Sequence, residues 1–160
     1  MILLRAILVL IFSTTHLFAQ DEAGQFGSLA KDSRQPIEAQ ADKMEIDEAT
    51  GLVQMSGQVE IVQGLTTLTA EFVRLEYTED QSEIQTIYAA GSVYLESSGD
   101  VAKGDEATYK LAENMIYLNG NAMLKQSENT LNAAKIELNT ETGSAVMTGR
   151  VSTTLMPRGD

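Results

Sequence analysis

The chain has 160 residues, 43% of them hydrophobic and 6% aromatic, with 23 acidic against 11 basic side chains and a formal charge of −12. This apolar fraction over this length supports one domain with a buried core and excludes a wholly disordered chain, while the acidic balance disfavours nucleic acid, whose phosphates bind through Lys and Arg. With no Cys, no Trp and His16 as the single imidazole, a disulfide framework, thiol nucleophiles and His/Cys metal sites are excluded, and no cofactor is expected.

In chain order, the first feature is a leader. Met1 to Arg5 carries one positive charge, Ala6 to Phe12 is apolar, and Ser13 to Ala19 ends on a small residue, so residues 1–19 read as an export signal peptide. The alternative is an uncleaved membrane anchor. Spanning takes about 20 apolar residues, and Arg5, Ser13-Thr14-Thr15 and His16 interrupt the run before that. Removal of the leader leaves no imidazole, and hence no Ser-His-Asp triad, and places the mature chain in a bacterial periplasm. Residues 20–34, rich in Asp, Glu, Gly, Gln and Ser, read as a flexible lead-in. The domain is expected over 35–157, with 158–160 as a short tail.

The domain is organised by a repeat. Ser56-Gly57-Gln58-Val59, Ala90-Gly91-Ser92-Val93, Asn119-Gly120-Asn121-Ala122 and Thr148-Gly149-Arg150-Val151 follow one another at separations of 34, 29 and 29 residues. A small residue stands 16 positions before Gly57, Gly120 and Gly149 (Ala41, Gly104 and Ala133), and Ala70 stands 21 before Gly91, so a five-residue insertion accounts for the longer interval. Self-similarity of this period predicts stacked units, each burying its face on the next.

Inside each unit the apolar period is two. Met44/Ile46, Val73/Leu75, Ala107/Tyr109 and Ile136/Leu138 alternate with polar residues, and after turns such as Asp47 to Gly51 the alternation resumes and continues past each glycine as Val59/Ile61, Val93/Leu95 and Ala122/Leu124. This rhythm, bounded by Gly, Asn and Asp, predicts an all-β domain of roughly a dozen or more short antiparallel strands. The glycines are expected at strand joints, where a bend or bulge lets the chain change sheet.

The inward row has two readings. Half-buried strands need one apolar face, so its members can simply be core. Alternatively the two faces diverge and part of the row lines an open trough for lipid chains, with Met44, Met55, Met123, Tyr94 and Tyr109 as its adaptable members. The carboxylates Glu45, Asp47, Glu60, Glu71, Glu76, Glu96, Glu106 and Glu137 fall on the outward half of the alternation or in turns, as a solvated face does. Lys43, Lys103, Lys110, Lys125 and Arg150 are scattered in the same way, although they could meet a lipid headgroup phosphate. The terminal Arg158-Gly159-Asp160 matches an adhesion tripeptide that carries no weight without a receptor. Phosphate loops of the GxxxxGK[ST] or GxGxxG kind are absent.

Gln35-Pro36-Ile37-Glu38-Ala39-Gln40-Ala41-Asp42, followed by Asp47 to Gly51, Ser56 to Gly64, Leu68 to Glu71, Ala102 to Asp105 and Leu118 to Ala122, resembles the OstA-like, LptA-type lipopolysaccharide-transport proteins from Gln35 to Pro157. The resemblance implies a twisted, open β-jellyroll with a hydrophobic interior, stacking end to end through its terminal strands. It implies a non-enzymatic carrier that holds the lipid A acyl chains of lipopolysaccharide and passes it from an inner-membrane export complex to an outer-membrane translocon. The family's lipid-contacting positions fall on Ile37 and Ala39, on Val93 or Leu95, and on Tyr109 and Leu111. With the inward residues Met44, Ile46, Met55 and Leu118, these form the candidate lipid-binding set. Rival expectations are a membrane-tethered sister component, a carbohydrate-active enzyme on a β-scaffold, and a structural β-solenoid adhesin with a dry interior.

Overall fold

The computed structural model describes residues 35–154; the expected leader (1–19), lead-in (20–34) and tail (158–160) lie outside the described residues. The described residues form ten strands: β1 (Ile37–Gln40), β2 (Lys43–Asp47), β3 (Leu52–Gln63), β4 (Thr66–Tyr77), β5 (Ile84–Ser97), β6 (Asp100–Lys110), β7 (Met115–Gln126), β8 (Asn129–Asn139), β9 (Ala145–Thr148) and β10 (Ser152–Thr154). One 3-10 turn, Leu111–Glu113, joins β6 to β7. All strands belong to one antiparallel sheet ordered β1-β3-β4-β5-β6-β7-β8-β10, with β2 also on β3 and β9 also on β8.

β1 and β2 lie end to end along β3, and β9 and β10 lie end to end along β8, so each pair is one strand broken at a bend. The breaks are bridged in the same way: Asp42 N donates to Gly57 O and Ala134 N to Gly149 O, each at 2.8 Å. Every strand therefore crosses the same crease, and the sheet folds over on itself into two facing walls. This is the all-β, open jellyroll architecture that the alternation and the resemblance predict.

The glycines make the crease without ending the strands, which is why the strands are fewer and longer than the sequence suggests. Gly57 (φ +79°) and Gln58 (+45°) are both left-handed, as are Gly91 and Ser92, and Gly120 and Asn121. In the β3–β4 ladder, pairing runs from Ser56–Phe72 to Val59–Ala70, so Gly57 and Gln58 oppose the single residue Glu71 in a bulge. The repeated bulge turns the strand yet keeps its parity: Met55 before it and Val59 after it are both buried. Outside the crease the space is already filled. A methyl added to Gly57, Gly91, Gly120 or Gly149 would lie 2.7 to 2.8 Å from the Cβ of Asp42, Glu71, Asp105 or Ala134. Inside it, a Cβ on Gly104 would stand 3.0 Å from the Glu106 carbonyl oxygen, so this unit has glycine where the other three have alanine.

Two packed clusters fill the fold. Met55, Val59, Val73, Ala89 and Val93 belong to the N-terminal cluster, and Ile116, Leu118, Leu124, Ile136 and Leu138 to the C-terminal one. The last four of these are fully buried, as is Val73 in the N-terminal cluster.

Candidate functional site

Between the walls, over β3 to β7, lies an open cavity of about 880 Å³. Its floor and sides are apolar: Leu68, Leu75, Ile87, Leu95, Tyr109 and Ile116 all face it. The register explains why it opens there. Along the inner face the row Met55, Val73, Ala89, Ala107, Leu118, Ile136 is continuous, and it narrows to two methyl groups at β5 and β6. Ala89 and Ala107 both line the cavity, whereas their larger neighbours Leu118 and Ile136 are fully buried. Small side chains in the middle of the row leave the volume that bulky ones fill at the end.

One side of the mouth is formed by the five-residue insertion that lengthens the first repeat, which emerges as the β4–β5 loop. Thr78, Ser82 and Glu83 from this loop line the cavity. Asp80 organises it: Thr78 Oγ1 donates to Asp80 Oδ1 at 2.6 Å, Ser82 Oγ at 2.8 Å and Ser82 N at 3.2 Å. These donors, first the Thr78 hydroxyl and then the Ser82 hydroxyl and amide, hold the Asp80 carboxyl below its ordinary value of 3.8. Gln81 Nε2 ties the loop to the β2–β3 turn by donating to Glu48 O at 3.3 Å.

The candidate residues divide into three groups. Ile37, Leu95, Tyr109 and Leu111 line the cavity. Met55, Val93 and Leu118 are buried in packed core. Ala39, Met44 and Ile46 lie on the first edge of the sheet, paired with Ile61, Met55 and Val53, and Ile46 is 64% exposed because among the described residues no strand lies beyond it. Tyr94 and Met123 are a correction. They register with Lys103 on the outer surface, where Lys103 Nζ stands 5.1 Å from the Tyr94 ring centroid. Each is adjacent to an inward residue, Leu95 or Leu124, and so points the other way.

Sequence reasoning missed the polar part of the lining. Gln63 and Thr66 share the parity of Ile61 and Leu68 and could have been found by extending the alternation two residues beyond its apolar members. The loop residues were marked only by the insertion.

Several of the outward carboxylates have partners on the outer face. Glu45, Glu76 and Glu137 each pair with a cation two residues away on their own strand: Lys43 at 2.9 Å, Arg74 at 3.0 Å and Lys135 at 2.6 Å. Tyr88 and Tyr94 donate to Glu106 and Glu96 at 3.1 and 2.7 Å. Burial, then the Glu106 acceptor, raises the Tyr88 phenol; the Glu96 acceptor raises that of Tyr94. Among the described residues no group of three or more His, Cys, Asp or Glu could hold a metal, and no helix is long and apolar enough to cross a membrane.

Comparison with known proteins gives the same architecture. The Pseudomonas aeruginosa (strain PAO1) lipopolysaccharide export system protein LptH is 31% identical over 143 residues, covering 83% of this chain and 81% of that protein. An uncharacterized protein of Rhizobium meliloti (strain 1021) is 28% identical over 151 residues, covering 88% and 81% of the two chains. The crystal structure of LptH, the LptA-homologous periplasmic component of the lipopolysaccharide transport device of Pseudomonas aeruginosa, aligns with a TM-score of 0.73 at 25% identity, over 79% of this chain and 99% of that one. The model of the LptA/(LptD N-terminal domain) LPS transport protein family matches residues 38–144, and the chain belongs to that family.

Proposed function

We propose that this chain is a non-enzymatic periplasmic carrier that takes lipopolysaccharide from an inner-membrane export complex and passes it toward an outer-membrane translocon. The acyl chains lie in the cavity between the walls, against Ile37, Leu95, Tyr109 and Leu111. The observation that carries this reading is the cavity itself: about 880 Å³ of largely apolar space between the walls, with the small side chains of Ala89 and Ala107 in its lining. Each methylene moved from water into such a space gains about 0.8 kcal/mol. An anionic lipid can therefore bind a chain of charge −12 without charge complementarity.

The sheet edges support end-to-end assembly. Among the described residues β1 and β2 pair on one side only, with β3, and β9 and β10 only with β8. Open backbone edges of this kind accept a further strand. On the first edge Ile37 and Met44 (each 46% exposed) and Ile46 already present the inner-face row to a missing neighbour. A second copy joined there extends the apolar face.

The test is photo-crosslinking in living cells from Ile37, Tyr109 and Leu111, probed for lipopolysaccharide. Glu137, which is ion-paired on the outer face, serves as the control. Adducts at the inner positions and none at Glu137 are expected. A folded protein giving none at all three inner positions refutes the reading.

A further inference from the structure

The crease is a repeated arrangement that the two edges of the sheet leave unfinished. The left-handed pairs Gly57-Gln58, Gly91-Ser92 and Gly120-Asn121 each bulge opposite one residue of the strand that follows: Glu71, Asp105 and Ala134. Outside the crease each glycine also lies against a residue of the strand before it: Gly57 against Asp42, Gly91 against Glu71, Gly120 against Asp105 and Gly149 against Ala134. Glu71, Asp105 and Ala134 thus stand between two bulges, and Asn121 Nδ2 donates to Asp105 Oδ2 at 2.9 Å across one such contact. Among the described residues Asp42 adjoins a single bulge, that of β3. The fourth left-handed pair, Gly149-Arg150 (φ +74° and +43°), likewise adjoins Ala134 and has no strand on its far side.

The two unfinished ends carry opposite charges. Of the residues that follow the glycines (Gln58, Ser92, Asn121, Arg150), the cation stands at the last edge. Of those that face them (Asp42, Glu71, Asp105, Ala134), the one beside Arg150 is uncharged and the one at the first edge is an acid. Asp42 and Arg150 are both exposed, and among the described residues neither has an ion pair.

We propose that a second copy completes the pattern: its first edge adds to the last edge of this chain, with its Asp42 opposite Gly149-Arg150 and ion-paired with Arg150. The proposal rests on the end-to-end assembly above and fixes its register. In the three bulged ladders the residue before glycine pairs with the residue after the facing one, as in Ser56–Phe72, Ala90–Glu106 and Asn119–Lys135. The residue two beyond glycine pairs with the one before it, as in Val59–Ala70, Val93–Gly104 and Ala122–Ala133. Carried to the open edges, this rule sets Thr148 against Lys43 of the second copy and Val151 against its Ala41, antiparallel as in every other ladder. On the inner face Met147 then meets Met44, and small Ala145 meets Ile46. Met44, Ile46 and Val151, which are 46%, 64% and 50% exposed in the single chain, are covered together. A slip of one residue would turn these side chains to the wrong face. A slip of two would keep the face and part Asp42 from Arg150, so the ion pair selects between registers that apolar burial leaves equal.

The absence of Cys makes the register directly readable. Full-length chains carrying Thr148→Cys are mixed with chains carrying Lys43→Cys, both outer-face positions, and oxidised. Directly opposed residues are about 4.5–5.5 Å apart at Cα, within disulfide reach, whereas diagonal ones at about 7–8 Å are beyond it. A cross-linked dimer is expected from this mixture and none from Thr148→Cys with Glu45→Cys; the opposite result overturns the register. In sedimentation at low salt, Arg150→Glu and Asp42→Lys should each weaken self-association roughly tenfold, since each replaces the ion pair by a like-charge contact. A mixture of the two should recover wild-type association to within about threefold. Association unchanged in both single variants, or not recovered in the mixture, overturns the pairing and leaves end-to-end assembly intact. Wild-type chains that stay monomeric at every concentration refute end-to-end assembly itself.

Discussion

The crease depends on glycines for two separable reasons, and a pair of substitutions distinguishes them. Gly91 and Gly99 both have left-handed backbones, with φ of +80° and +89°. A methyl at Gly99 meets nothing within 4 Å, whereas one at Gly91 lies 2.7 Å from Glu71 Cβ and 2.9 Å from its Cδ. Gly99→Ala therefore carries only the left-handed penalty of about 1–2 kcal/mol, reduced by about 0.4–1 kcal/mol because alanine restricts the unfolded chain. Gly91→Ala carries the same net cost and adds an overpacking cost of about 1–3 kcal/mol. Expected destabilisation is thus about 1 kcal/mol for Gly99→Ala and about 2–4 kcal/mol for Gly91→Ala. At about 4 °C per kcal/mol for a domain of this size, the two melting points should separate clearly. Urea and thermal unfolding followed by circular dichroism supply the numbers. Adding Glu71→Ala to Gly91→Ala should recover little, because the offending Cβ remains. If the two single variants agree to within about 0.5 kcal/mol, a scatter ordinary for surface changes, the packed crease is not what selects glycine at position 91.

Other consequences can be measured independently. Leu118→Ala empties a fully buried position and should cost about 2–5 kcal/mol in chemical denaturation, while Ile37→Ala at a half-exposed edge should cost at most about 1 kcal/mol. Ile46→Lys places a charge on the open first edge and should abolish concentration-dependent association in sedimentation experiments without lowering the melting temperature. The Asp80 carboxyl has a folded value depressed below 3.8, so its bracing of the β4–β5 loop is complete above that pH and is lost as pH falls through the folded value. Carbon-detected NMR titration should place its midpoint below 3.8, and protection of the Ser82 amide should fall with it; a midpoint at or above 3.8 refutes this account.

Alternation alone revealed which face β3, β5 and β7 bury, since a parity that survives the bulge, as from Met55 to Val59, is written in the spacing of the residues; in β4, β6 and β8 the parity reverses at the crease, as between Ala70 and Val73. It also made the edge positions Met44 and Ile46 look like core, because parity records direction and says nothing of whether a neighbour covers the side chain. The cavity was less legible. Its location depends on how closely two walls approach, and that distance involves residues remote in sequence: small Ala89 and Ala107 are in the lining, while larger Leu118, Leu124, Ile136 and Leu138 are fully buried. The polar lining escaped notice for a related reason. Gln63 and Thr66 resemble ordinary hairpin ends until the register aligns them with Ser97.

The broken terminal strands count as single ones, so each strand pairs with its successor along the chain and no crossover ties the two ends of the sheet together. An in-frame duplication of one 29-residue unit would insert a strand pair without disturbing any existing partnership. Each such insertion would lengthen the molecule by about 9.5 Å, the width of two strands. Reach is therefore a property this architecture can tune by copying its own middle, and fusion of several units in one polypeptide would do covalently what separate copies would otherwise do by meeting edge to edge.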